Sequence, residues 1–405
     1  MSARLRWLGE QRAEQLRFAA GSVTPEGFGW LDDGGAVDPS RPTELWISCR
    51  MTHVFSLALL AGEPAAPGGP SRRQLAELAA HGVSALRGPL HDHDHGGWFA
   101  SLSADGRSDS TKQAYGHAFV VLAGASASAA GVPGGAELLG AALETHEHRF
   151  WDDEVGLAVE QWDRSWTELD PYRGVNATMH TVEAYLAAGD VTGDASWHER
   201  AGRIASHVVR WAEANEWRIP EHFDTDWQPL LDHNRDEPAH PFRPFGATVG
   251  HGLEWARLLL AVQEALGAHA PPGLLPAARA LFERAVDDGW DQGRGGFVYT
   301  TDWHGTPVVR TRMHWVLVEA VAAAVALQRA TGDPSFDELA EQWWAWADEH
   351  LVDRTLGSWH HELDETNRPA SQVWPGKPDA YHVYQATLLP VLSRATSFVG
   401  ALASR

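Results

Sequence analysis

The feature that most constrains this chain is a landmark that recurs six times, a Gly and aromatic turn, often with acidic neighbours, introducing a short extended piece. It reads Gly27-Phe28-Gly29-Trp30, Gly96-Gly97-Trp98-Phe99, Val155-Gly156-Leu157, Glu221-His222-Phe223, Gly295-Gly296-Phe297-Val298-Tyr299 and Gly357-Ser358-Trp359-His360. Taken at positions 29, 97, 156, 222, 296 and 357, the landmarks lie 68, 59, 66, 74 and 61 residues apart. A period of that size implies repeated units that bury their apolar faces on one another. Between landmarks the apolar spacing is mostly helical, with room for two helices per interval. One helix of each is read at 44–60, 112–131, 176–188, 247–266, 312–330 and 381–394. Several are rich in Ala and Leu on more than one side, as expected of helices enclosed between a ring interior and an outer helix layer. The expected fold is therefore all-α, an (α/α)6 barrel: a toroid of six helical hairpins with short β-hairpins in its loops. Because the repeat is irregular, an open helical solenoid is the alternative.

Stretches rich in Pro and Gly, such as 62–70 and 131–135, are short enough to be hairpin loops. Residues 1–405 are accordingly read as a single catalytic domain. With 54 acidic residues against 32 basic ones the net charge is -22, and no basic run stands out, which argues against nucleic acid and anionic membranes as partners. Cys49 is the only cysteine, so no intramolecular disulfide or multi-cysteine zinc site is expected. The amphipathic, charged N-terminal segment does not read as a signal peptide or membrane span. A cytoplasmic protein is expected. Twenty Trp against six Tyr is unusual; such rings fill a large core or stack on sugar C–H faces, Trp315 being a candidate for the second role.

Polar residues early in each enclosed helix form a set that a toroid would turn toward one pocket: Arg50 and His53; Lys112, Gln113 and His117; Asn176, His180 and Glu183; His251 and Glu254; Arg312, His314 and Glu319; Tyr381, His382 and Gln385. Burying charged and imidazole groups is costly without a partner or a task. Imidazole titrates near neutrality, so His251 and His382 suit proton transfer without a cofactor. The i, i+3 spacing of His251 and Glu254 puts both on one helix face, where the carboxylate could orient the ring, although a capped or surface pair reads the same way. His180 shares a face with Asn176 and Glu183, and a hydrogen-bonded structural histidine is the competing reading. Arg50 stands among apolar residues and needs a fixed partner, either a buried carboxylate or substrate oxygens. The tract His91-Asp92-His93-Asp94-His95 suggests a metal site, but its Gly-flanked setting favours a solvated loop. Phosphate-cradling glycine motifs and nucleophile elbows are not found, so phosphotransfer and serine hydrolysis are poorly supported.

Taken together, Thr24–Trp30, Leu45–Met51, Arg173–His180, Glu221–Trp227, Gly250–Trp255 and Trp374–His382 resemble the N-acylglucosamine 2-epimerase family, in particular its branch of mannose and sulfoquinovose isomerases. The resemblance implies an (α/α)6 barrel that moves a proton at sugar C2 without redox cofactor or metal. It also implies that Arg50, His180, His251, Glu254 and His382 match the family's functional positions. Sulfosugar-processing relatives carry an extra Arg where this chain has Pro241, which argues for a neutral hexose, with Arg243 able to compensate. The expected activity is D-mannose to D-fructose isomerisation, with tolerance for related sugars such as lyxose and xylulose. His251, His382 and Glu254 would be catalytic, with Arg50, His180, Asn176, Arg243, Trp315 and Gln385 on the substrate. Sugar 2-epimerase, sulfoquinovose isomerase, glycoside hydrolase and non-catalytic sugar binder are the alternatives. The sequence specifies no oligomeric state.

Overall fold

The computed structural model describes residues 3–64, 66–103, 108–393 and 396–404. By internal contacts the chain forms two compact units. One gathers the described residues of 1–171, 177–201 and 377–405, the other 172–176 and 202–376.

In the first unit, the helix Leu45–Ala61 packs on Arg72–Arg87 and on Ala114–Ala129, and the last of these packs on Gly135–Arg149. Tyr381–Leu388 packs on Ala3–Ala19. In the second, Val249–Leu266 packs on Leu274–Gly289 and on His314–Thr331, which packs on Ser335–His350. The two helices of a hairpin differ in a way the sequence dictates. Leu45–Ala61 and Val249–Leu266, mixing apolar residues with few charges, are buried along most of their length. Their partners, such as Arg72–Arg87 and Leu274–Gly289, carry charged residues on one face and bury only the other. Among the described residues no helix is long and apolar enough to cross a membrane.

A two-residue strand precedes most enclosed helices and pairs antiparallel with a strand returning after the second helix. Thr43↔Leu102, Lys112↔Trp162, Arg173↔Phe223, Ala247↔Thr301 and Arg312↔Leu363 are the registers. The same return segments satisfy the first orphan N–H of each helix. Leu45, Ala114, Val175, Val249 and His314 donate backbone N–H to the carbonyls of Ala100, Glu160, Glu221, Tyr299 and His361, at 2.8–3.1 Å. Side-chain caps are thereby dispensable at starts such as Leu45 and Val249. This corrects four expected helix starts: 44, 112–113, 247–248 and 312–313 are strand. The helix expected over 381–394 ends at Leu388 and continues as a short 3-10 turn, Leu389–Val391, whose Pro390 has no N–H to give. Arg394 itself lies outside the described residues, as does Ala65 of the Pro- and Gly-rich stretch.

Return strands bend back through a second recurring turn. Asp32, Asp224, Asp302 and Asp364 each accept, on one carboxylate oxygen, the N–H groups two and four residues on, at 2.7–3.0 Å. The residue three positions on has positive φ: Gly35, Trp227, Gly305 and Asn367. At the landmarks the glycine requirement is also steric. Gly296 has φ +82°, and a Cβ there would meet Arg312 Cδ at 2.5 Å.

Candidate active site

In the first unit, a cation is held at the second turn of Leu45–Ala61. Arg50 donates Nη1 to Asp379 Oδ2 and Nη2 to the Tyr115 hydroxyl, each at 3.0 Å, and its guanidinium lies 4.6 Å from the ring centroids of Phe119 and Tyr381. Burial opposes the charge, but Tyr115, Asp379 and Tyr381 outweigh it, and the pKa is raised. Asp379 also accepts the backbone N–H of Tyr381 at 2.9 Å, so the residue that pairs with Arg50 sets the start of the helix bearing His382. The buried carboxylate that Arg50 called for is thus Asp379.

His180 faces Glu183 on the same helix, Nδ1 to Oε2 at 3.3 Å, with Phe119 and Tyr115 rings 4.5 and 5.3 Å away. Glu183 further accepts the Tyr381 hydroxyl and Gln385 Nε2, the latter at 3.0 Å. Burial, with Arg50 and His382 adding to it and Glu183 opposing, pushes the His180 imidazole down to about 4, so it is neutral at physiological pH. The His382 ring stands edge-on to Tyr381, centroids 4.8 Å apart. Gln385, expected on the substrate, gives its amide nitrogen to Glu183 and to His53 Nε2, the latter also at 3.0 Å, and its carbonyl oxygen is buried. This ties it to Glu183, the carboxylate that also faces His180.

In the second unit, His251 Nδ1 lies 2.8 Å from Glu221 Oε2, both side chains buried. The other Glu221 oxygen accepts the Thr248 N–H at 3.2 Å, and its backbone carbonyl accepts Val175 N–H, fixing the carboxylate from both ends. This corrects the expectation that Glu254 orients His251. Glu254 instead pairs with Arg257 at 3.3 Å, and Arg257 reaches Glu319 at 3.2 Å. The i, i+3 spacing that seemed to couple Glu254 to His251 couples it equally to Arg257, and the cation takes it. Trp315 lies beside His251, ring centroids 5.6 Å apart at 39°. A Cβ on Gly250 would sit 2.2 Å from that indole, which explains the glycine. Arg243 stacks 3.9 Å over the Tyr172 ring and is half-buried. Asn176 is half-buried in the first turn of Val175–Thr192.

The structure therefore brings together Arg50, His180, His382 and Gln385 in one unit, and His251 with Trp315 in the other. Glu221 and Asp379 were missed as partners, although both stand inside the segments quoted above. The missed clue was chemical: a buried arginine and a buried imidazole each ask for a carboxylate. The His-Asp tract is half as expected. His93, Asp94 and His95 are exposed, but Asp92 is buried, 2.9 Å from Lys112 Nζ and 2.8 Å from Arg164 Nε, as a structural ion cluster.

Hairpins of a buried and an amphipathic helix, with imidazoles and carboxylates interred near the helix starts, define a helical-barrel protein with acid–base groups in its interior. Residues 27–386 match the family described as N-acylglucosamine 2-epimerase (GlcNAc 2-epimerase), and the chain belongs to that family. It is 51% identical over 403 residues to a D-mannose isomerase of Thermobifida fusca, covering 98% of this chain and 97% of that protein. It is 46% identical over 403 residues to a D-mannose isomerase of Pseudomonas cannabina pv. alisalensis, covering 98% and 95%. A crystal structure of a D-mannose isomerase overlays with a TM-score of 0.86 at 29% identity, covering 95% of this chain and 97% of that one. The fold class is the (α/α)6 barrel expected from the repeats.

Proposed function

We propose that this protein is a cofactor-independent aldose–ketose isomerase that interconverts D-mannose and D-fructose, as one catalytic domain in the cytoplasm. The observation that carries the reading is the identity of about half of all positions, over nearly the full length, to relatives named D-mannose isomerase. The chemistry of the buried groups supports it.

His382 assists opening of the pyranose by moving a proton between the anomeric hydroxyl and the ring oxygen. His251 then removes the proton from C2 of the open aldehyde. Its Nδ1–H points to Glu221, which leaves the Nε2 lone pair for the proton and a carboxylate to face the imidazolium that forms. O1 takes a proton to give the cis-enediol; C1 is then protonated and O2 loses its proton, which yields the ketose with no net redox change. Arg50, permanently charged, is the cation for the oxyanion that develops on the way. Trp315 supplies an apolar face for the sugar.

Acid–base groups of this kind contribute roughly 10²- to 10⁴-fold each. His251→Ala and His382→Ala should each lose at least about 100-fold in mannose-to-fructose turnover while keeping native circular dichroism. Retention of most turnover by both folded variants would end this assignment.

A further inference from the structure

His180, expected on the substrate, is backed by a run of hydrogen bonds that determines where its ring proton sits. Ser126 donates its hydroxyl proton to the carbonyl of Leu122, at 2.8 Å. It has none left for His53, whose Nδ1 lies 2.5 Å from the same oxygen, so that ring nitrogen carries the hydrogen. His53 is pushed by burial down to about 4, with Arg50 adding to it against Glu183, and is neutral; its Nε2 is then a lone pair, and accepts from Gln385 Nε2. The second N–H of the same amide goes to Glu183 Oε1. Turning the amide over would set its oxygen against a carboxylate oxygen and a ring lone pair at once, so its orientation is fixed. Glu183, already receiving the Tyr381 hydroxyl, can offer His180 only an acceptor. The hydrogen in that contact belongs to His180 Nδ1.

We infer that His180 meets the sugar as a hydrogen-bond acceptor through a bare Nε2, and that the chain Ser126, His53, Gln385, Glu183 fixes this tautomer. The pocket therefore requires a donating hydroxyl where His180 touches the ligand. Among the described residues no hydrogen-bond donor occupies Nε2. The inference rests on the proposed isomerase reading and on the place at the substrate that the family resemblance implies for His180, and adds the sense of that contact. Glu183, Gln385 and His53 are positioning residues.

Deoxy and fluoro analogues of mannose at C3, C4 and C6 test it, because fluorine accepts weakly and cannot donate, whereas a deoxy carbon does neither. In the wild-type protein, one position should lose about 100-fold or more in kcat/KM equally for the deoxy and fluoro sugars. His180→Gln should change discrimination at that position alone. Glu183→Gln can present an N–H to Nδ1 and so move the ring proton to Nε2; there the fluoro sugar should outperform the deoxy sugar by about tenfold. His53→Leu should lower kcat/KM for mannose while leaving the deoxy sugar unchanged. A wild-type enzyme that turns over the fluoro sugar at least tenfold better than the deoxy sugar at the His180-dependent position would overturn the tautomer. Discrimination left untouched by His180→Gln at all three positions would instead remove His180 from the sugar, and the inference with it, while mannose turnover by the same variant reports separately on the isomerase reading.

Discussion

The pair Glu221 and His251 is where one residue has the greatest leverage on the proposed chemistry. Replacing Glu221 with Gln keeps its size but offers Nδ1 an N–H, favouring the tautomer whose Nε2 already carries a proton. Steady-state kinetics of Glu221→Gln should show kcat down about 100-fold with KM within about threefold, since the loss falls on proton transfer and not on binding. An unchanged kcat would mean that Glu221 does not set the working form of His251. The buried polar residues described here were legible in the sequence, as was the pairing of His180 with Glu183; the longer-range pairings were not. Arg50 and Asp379 are 329 residues apart and His251 and Glu221 are 30 apart, so only folding selects these partners from many carboxylates. Local spacing offered Glu254, and Arg257, at the same spacing on its other side, claimed it.

At the scale of the element, the strand and turn that close each hairpin position its enclosed helix. Asp302 illustrates the energetics: its carboxylate takes the N–H groups of His304 and Thr306 at 2.9 and 2.8 Å, which holds its pKa below the ordinary carboxylate value against the effect of burial. Removing such a local acceptor costs about 1 kcal/mol. Asp302→Ala should lower the urea midpoint accordingly and leave kcat within about twofold, because the turn supports the helix start but touches no reacting group. A large loss of kcat at unchanged stability would contradict that division. Helix centres were readable from apolar periodicity, whereas starts such as 112–113 were not. There the first N–H groups are satisfied by a strand some fifty residues later, a non-local solution invisible to capping rules.

Over the whole molecule, the interior histidines make stability depend on pH. Burial pushes His117 and His146 down to about 3 and His53 and His180 down to about 4, from 6.5 in the unfolded chain. Between pH 6.5 and 4 the unfolded state binds these protons and the folded state does not, so stability is full above 6.5 and falls as pH drops. Each such histidine can contribute up to about 1.4 kcal/mol per pH unit to that slope. Urea unfolding should therefore give steadily lower midpoints from pH 7 to 4.5, and replacing His146 by a neutral residue should flatten the slope; a midpoint independent of pH would refute the account of burial. The sixfold repeat made the fold class readable from sequence, because a periodic landmark is a global constraint written locally. Calorimetry at neutral pH should show one cooperative transition if the chain is one catalytic domain. The central claim, isomerisation through deprotonation at C2, is tested most directly by incubating D-mannose with the protein in heavy water and following it by NMR. The account predicts fructose carrying solvent deuterium at C1; glucose labelled at C2, or mannose left unlabelled and unconverted, would contradict it.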